Sequence, residues 1–203
     1  MSKVFFGIIF TFLACHDIQC QYKLIMNNDI EQAYKDISEL KMASGLQKID
    51  HIKKTDPNNA MVYYIENYVD FFTLFIQEDE ALYKKLLNNK DIRLKKIKAS
   101  NPESPYYLFC QAEIILQWAT IKLKFDEKIS AAKDVYQAYK LLEENKKAFP
   151  NFIENNKSLS IIHALAESVP SWIRTFMGIK GSVALGTKEI SALVTRANAD
   201  GSI

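Results

Sequence analysis

Glu66, Asp70, Thr73 and Gln77 recur at three- and four-residue intervals, and Glu113, Gln117, Thr120 and Lys124 do the same, so each set lies along one face of a helix. A carboxylate pair such as Glu66 and Asp70 is the raw material of general acid–base catalysis. That chemistry also needs a nucleophile, a metal ion or a second acid across the bond to be broken, and the neighbouring sequence offers none. His51 and His163 have no cysteine, carboxylate or second histidine at ligand spacing, so no metal site, no other cofactor and no catalytic residue is assigned. Gly178-Ile179-Lys180-Gly181-Ser182 lacks the spacing of a phosphate loop and has no strand ahead of it, and it reads as one helix stopping and the next starting. A hydrolase is therefore the weakest of the functions open to the chain. The two polar stripes suit binding better. On helices whose other faces are apolar, Glu66, Asp70, Glu113 and Gln117 would line a groove for a peptide if those helices were neighbours. A solvated outer face or a buried hydrogen-bond network is the other use open to the same residues.

The elements that must carry these residues follow from composition and periodicity. Of 203 residues 48% are hydrophobic and 25% charged, which supports a folded core, and only 6 Gly and 5 Pro are present, too few to punctuate many short strands. Long helices are predicted. The net charge of +2 is spread along the chain, so neither nucleic acid nor an anionic membrane surface is expected as a partner.

Apolar residues recur with helical spacing from Asp29 onward: Ile30, Ala33, Ile37 and Leu40, then Leu46, Ile49 and Ile52 after Ser44. Gly45 falls where the second of these helices would press on the first. A helix over 60–77 carries two apolar stripes and should be buried on two sides. Shorter helices are expected near 80–87 and 91–98. Ser104-Pro105 then opens a long one, taken as central, with the N-cap and first-turn proline that favour a helix start. Further helices are read at 129–147, where Ala132, Val135, Tyr139 and Leu142 should face inward, around Leu159 to Leu165, at 172–177, and from Ser182 to Val194. Residues 195–203 are read as an irregular tail. Pro57, Pro102 and Pro150 close units roughly 45 to 50 residues long, against about 34 for the standard tetratricopeptide repeat. The expected fold is all-α: stacked antiparallel helical hairpins, a tetratricopeptide-like α-solenoid over 21–194, forming the N-terminal part of a longer array because no polar capping helix is evident.

Lys3 precedes the uncharged apolar run Val4 to Ala14, which is too short to span a bilayer and suits a removable export signal over 1–20. Leu13-Ala14-Cys15 also resembles the end of a lipoprotein signal, with Cys15 as the lipidation site and the only route to a membrane. Cys110 is then the one cysteine assigned to the exported domain beyond doubt, so no internal disulfide is expected there.

The runs Tyr64 to Phe71, Ser104 to Ile114, Ala138 to Leu142 and Gly178 to Ser182 resemble an uncharacterised group of exported tetratricopeptide-like proteins from Bacteroidetes, over roughly residues 27–185. Ser160 stands where that group would carry glycine. The resemblance implies a fold and export to the periplasm or outer membrane, with no catalytic residue. The function expected is a scaffold that binds a peptide or protein of the cell envelope. A surface lipoprotein capturing oligosaccharides is the alternative.

Overall fold

The computed structural model describes residues 22–166, 178–179 and 181–199, and within them the chain is helical. The helices are α1 (Asn28–Ser38), α2 (Met42–Thr55), α3 (Met61–Gln77), α4 (Glu80–Leu86), α5 (Asn89–Lys98), α6 (Tyr106–Lys124), α7 (Lys128–Ala148), α8 (Glu154–Ala166) and α9 (Val183–Ala199). Capping residues set several of their starts. The side chains of Asn27, Asp79 and Ser182 accept from the backbone N–H groups of Ile30, Leu82 and Leu185, each three residues on. Leu40, expected at the end of the first apolar stripe, instead adopts φ 60° in the turn after α1 and is half exposed.

Helix α6 is the centre. Its buried residues run round the whole circumference, from Phe109 and Cys110 to Trp118, Ala119 and Ile121, which is the pattern of a helix enclosed by others. It packs on α3, α5, α7 and α8, while α1 packs on α2 and α3. On α3, Met61, Ile65 and Tyr68 are buried as expected, but Phe71, Phe72 and Phe75 at the other end are only partly covered. On α7 Leu142 is buried as expected, but the rest of the buried stripe runs through Ala131, Asp134, Ala138 and Asn145, one position round from Ala132, Val135 and Tyr139. The reason is electrostatic: Asp134 meets Lys90 of α5 and Lys122 of α6, each at 2.8 Å, so a carboxylate takes a place that hydrophobicity alone gives to Val135.

An extended strap ahead of α1 ties distant ends together. Tyr22 N–H donates to Ala99 after α5, Lys23 N–H donates to Asn58 after α2, and Ala60 N–H returns a bond to Lys23. Asn59, fully buried, accepts from the N–H groups of Ile25 and Met61 and donates to the Ile25 carbonyl.

Helix α9 runs to Ala199, so residues 195–199 are helical where an irregular tail was expected; Ala and Arg extend a helix without needing an apolar stripe. The helix expected at 172–177 lies outside the described residues. Small residues let α8 and α9 meet closely. A Cβ on Gly186 would strike the Ser160 carbonyl oxygen and come within 2.8 Å of the Ala164 nitrogen, and one on Gly181 would lie 2.7 Å from the His163 backbone. A Cβ on Gly45 would meet only the Ile37 side chain and, at 3.4 Å, its backbone nitrogen, in keeping with the close approach expected there. Gly186→Ala should therefore destabilise the protein by about 1–2 kcal/mol despite roughly 1 kcal/mol gained in helix propensity, because backbone on α8 cannot yield. Thermal unfolding measures it: an unchanged or raised Tm would show that α8 and α9 do not pack this way.

Candidate functional site

The polar stripe of α6 is buried at Glu113 and Gln117, half-buried at Thr120 and exposed at Lys124. Glu113 and Gln117 are 4% and 8% exposed, and they face α3, α8 and a cavity of about 710 Å³. Its walls come from Tyr34 of α1, Phe71 and Phe72 of α3, Leu116 and Leu123 of α6, Ala131, Ala132 and Val135 of α7 and Ile161, Ile162 and Leu165 of α8. Aromatic and aliphatic carbon dominates them.

One polar network underlies this site. Asn67 of α3 is fully buried, and its Oδ1 accepts from Trp118 Nε1 at 2.9 Å and from Arg93 at 3.1 Å. Both of those groups can only donate, so the oxygen of Asn67 must face them and its NH2 must face the other way. There it donates to Gln117 Oε1 at 2.7 Å. The orientation of Gln117 is fixed in turn, and its Nε2 is left as a buried donor without an acceptor. Arg93 also reaches Asp70 Oδ2 at 2.6 Å, which Asn89 meets at 2.8 Å.

The second cluster surrounds Glu113. Its carboxylate accepts from Tyr68 at 2.8 Å and from Ser158, and Lys157 of α8 stands 3.4 Å away. Burial pushes the phenols of Tyr64 and Tyr68 well above their usual range, and the charge on Glu113 adds to the effect. The Cys110 thiol, 3.7 Å from the Met61 sulfur, is raised by the same two causes and stays protonated and unreactive. For Lys157, burial opposes the charge, but Glu113 and the Tyr34 ring hydroxyl outweigh it, so the ammonium is held above the ordinary lysine value.

The structure thus separates the four groove candidates. Glu113 and Gln117 line the cavity, whereas Glu66 pairs with Lys53 of α2 and Asp70 turns to α5. The correction has a simple cause: Glu66 and Asp70 share the face of α3 that meets α2 and α5, each supplying a cation. Tyr68 and Asn67, between them in sequence, are the polar α3 residues that bond to Glu113 and Gln117. Nothing in the apolar spacing marks Asn67. Lys157 was equally hidden, because its partner lies on a helix 44 positions earlier. His163 gains a partner that sequence spacing does not show. It has a carboxylate partner, Glu189 of α9, 2.6 Å from Nδ1, brought by tertiary packing rather than by spacing. No three His, Cys, Asp or Glu side chains among the described residues converge as a metal site. Cys15 lies outside the described residues.

Comparison with family models, with curated proteins and with solved structures gives no match for this chain. Function must be argued from the site itself.

Tyr64, Tyr68, Cys110 and Lys157 all hold their protons more tightly in the folded state, so the stability they confer is complete below the usual thiol value of 9.0 and is lost as pH rises through the unfolded values toward the folded ones. The slope is at most about 1.4 kcal/mol per pH unit for each buried phenol or thiol. Urea midpoints should be level from about pH 7 to 8.5 and fall steadily from about pH 9 to 11. A midpoint that holds at pH 10.5 would show that these groups are solvated.

Proposed function

We propose that this chain is a non-catalytic binding protein that shelters the apolar part of a partner molecule in the cavity between α3, α6, α7 and α8. The cavity carries the reading. Its size falls within the range of roughly 300–1,000 Å³ that ligand sites occupy, and an apolar lining with a few fixed polar groups is their usual chemistry. The buried network and the protonated Cys110 thiol supply rigidity and recognition, and neither offers an activated nucleophile. Apolar walls suit hydrocarbon better than sugar hydroxyls, which weighs against oligosaccharide capture.

A peptide or protein segment of the cell envelope is the second reading. It is favoured by Leu123, Ile161 and Leu165, which line the cavity yet are 51%, 49% and 59% exposed, as apolar rims are where a helix inserts its side chains. Stacking of helical hairpins in the tetratricopeptide manner belongs to the same proposal. It is supported by the adjacent pairs α1 with α2, α6 with α7 and α8 with α9, each in extensive contact.

The purified protein should bind the neutral apolar dye N-phenyl-1-naphthylamine with a rise in fluorescence. Ala132→Trp, which fills the cavity from a half-buried position on α7, should weaken that binding about tenfold or more while leaving the helical circular dichroism intact. Dye binding that is unaffected by the substitution would place the apolar site elsewhere.

We also propose export, from the apolar run Val4 to Ala14. Protein recovered from the periplasmic fraction of expressing cells should have a mass short of residues 1–20. A full-length mass in the cytoplasmic fraction would exclude this.

A further inference from the structure

We propose that the end of the molecule where the strap crosses the last turns of α2 and α5 is a docking surface for a membrane that carries anionic lipid. None of the lysines that form it lines the cavity, so the proposal stands apart from whatever the cavity holds.

The fold gathers charges that are scattered along the sequence, where they gave no expectation of a membrane partner. Lys53 and Lys54 stand in the last turn of α2, and Lys95, Lys96 and Lys98 in the last turn of α5. Backbone bonds of the strap bring Lys23 to the first of these ends and Tyr22 to the second. The side chains meet too. Lys96 Nζ lies 5.1 Å from the centre of the Tyr22 ring and 5.8 Å from that of Tyr63, and Lys53 Nζ lies 5.8 Å from the Tyr63 ring on its own account. Both helices point their carbonyl ends here, and those dipoles favour cations.

The carboxylates nearby do not cancel this charge. Asp56 and Glu66 are taken up by Lys23 and Lys53. Asp50 and Asp91 lie one turn back from Lys54 and Lys95, and Glu103 alone stands in the exposed turn that follows α5. Lys54, Lys95 and Lys98 are exposed and, among the described residues, form no ion pair, while Lys96 donates to the Tyr22 hydroxyl and to no carboxylate. Positive charge is therefore in surplus at this end of a chain whose net charge is only +2.

A membrane suits the surface better than another polyanion. The chain ahead of Tyr22 carries the apolar run Val4 to Ala14, and a bilayer that takes up that run is joined to the lysines by residues 15–21 alone, about 25 Å at full stretch. The strap itself turns Tyr22 and Leu24 inward and leaves Lys23 and Ile25 outside, Ile25 being 47% exposed. A cation beside an apolar side chain suits the boundary between headgroups and acyl chains. The choice of a membrane rests on reading Val4 to Ala14 as a membrane-directed segment; the lysine surface does not.

Flotation of the purified full chain with vesicles of phosphatidylcholine, alone or mixed with phosphatidylglycerol, tests the assignment. Binding to the mixed vesicles should be about tenfold or more tighter and should weaken as salt is added. Lys54→Gln, Lys95→Gln and Lys98→Gln combined should remove that preference, at about fivefold for each lysine. Lys85→Gln, Lys133→Gln and Lys188→Gln combined lower the net charge equally at exposed positions elsewhere, and should leave the preference within about twofold. Equal loss in the two triple variants would overturn the proposal by making net charge responsible, and equal binding of the unaltered chain to both vesicles would overturn it outright. Binding to soluble poly-glutamate without any preference between the vesicles would overturn it in favour of an acidic protein partner. The vesicle preference is read with purified protein, so it stands or falls independently of where the cell places the chain.

Discussion

The side-chain amide of Asn67 is the constraint on which the rest of this structure turns. It sits where α3, α5 and α6 meet, wholly out of water, and it must satisfy groups from all three at once. Trp118 and Arg93 can only donate, so they dictate which way the amide points, and it dictates the direction of Gln117. A buried network of this kind admits one arrangement, because any rotation places donor against donor. Hydrophobic burial would allow the three helices to slide by a fraction of a turn. The amide does not.

The same logic extends outward from that junction. Arg93 carries the network to Asp70 and Asn89, Asp134 joins α5, α6 and α7 through Lys90 and Lys122, and Glu113 joins α3 to α8 through Tyr68, Ser158 and Lys157. Between these polar joints run apolar layers, with Ile65, Ile114, Ile115 and Ile121 almost fully covered. The layers drive collapse, whereas the joints choose a register. Where α7 and α8 carry small or apolar side chains opposite Glu113 and Gln117 of α6, a cavity opens.

Steric fit governs the two ends of the chain. The strap at 22–26 bonds its backbone to the turns after α2 and α5, and the Asn59 side chain anchors it at the first of these, so segments far apart in sequence are fastened together. At the other end, Gly181 and Gly186 bring α9 against the backbone of α8 near Ser160 and His163. Ser160 is small enough to permit this approach, its hydroxyl turning back to the Lys157 carbonyl at 2.7 Å.

Residue types and their period were enough to determine that the described chain is helical, that α6 lies at the centre, that Gly45 lies where α2 presses on α1 and that Ser182 begins a helix, because capping and amphipathic spacing act within a few residues. They left Glu113 and Gln117 open to a groove, a buried network or a solvated face. Only the folded arrangement decided that these two line a cavity while Glu66 and Asp70 do not, that Asn67 and Lys157 belong with them, and that His163 meets Glu189. A polar side chain is buried only when its counterpart arrives from another helix, and which helix arrives is set by packing across the whole core, not by the neighbours in sequence.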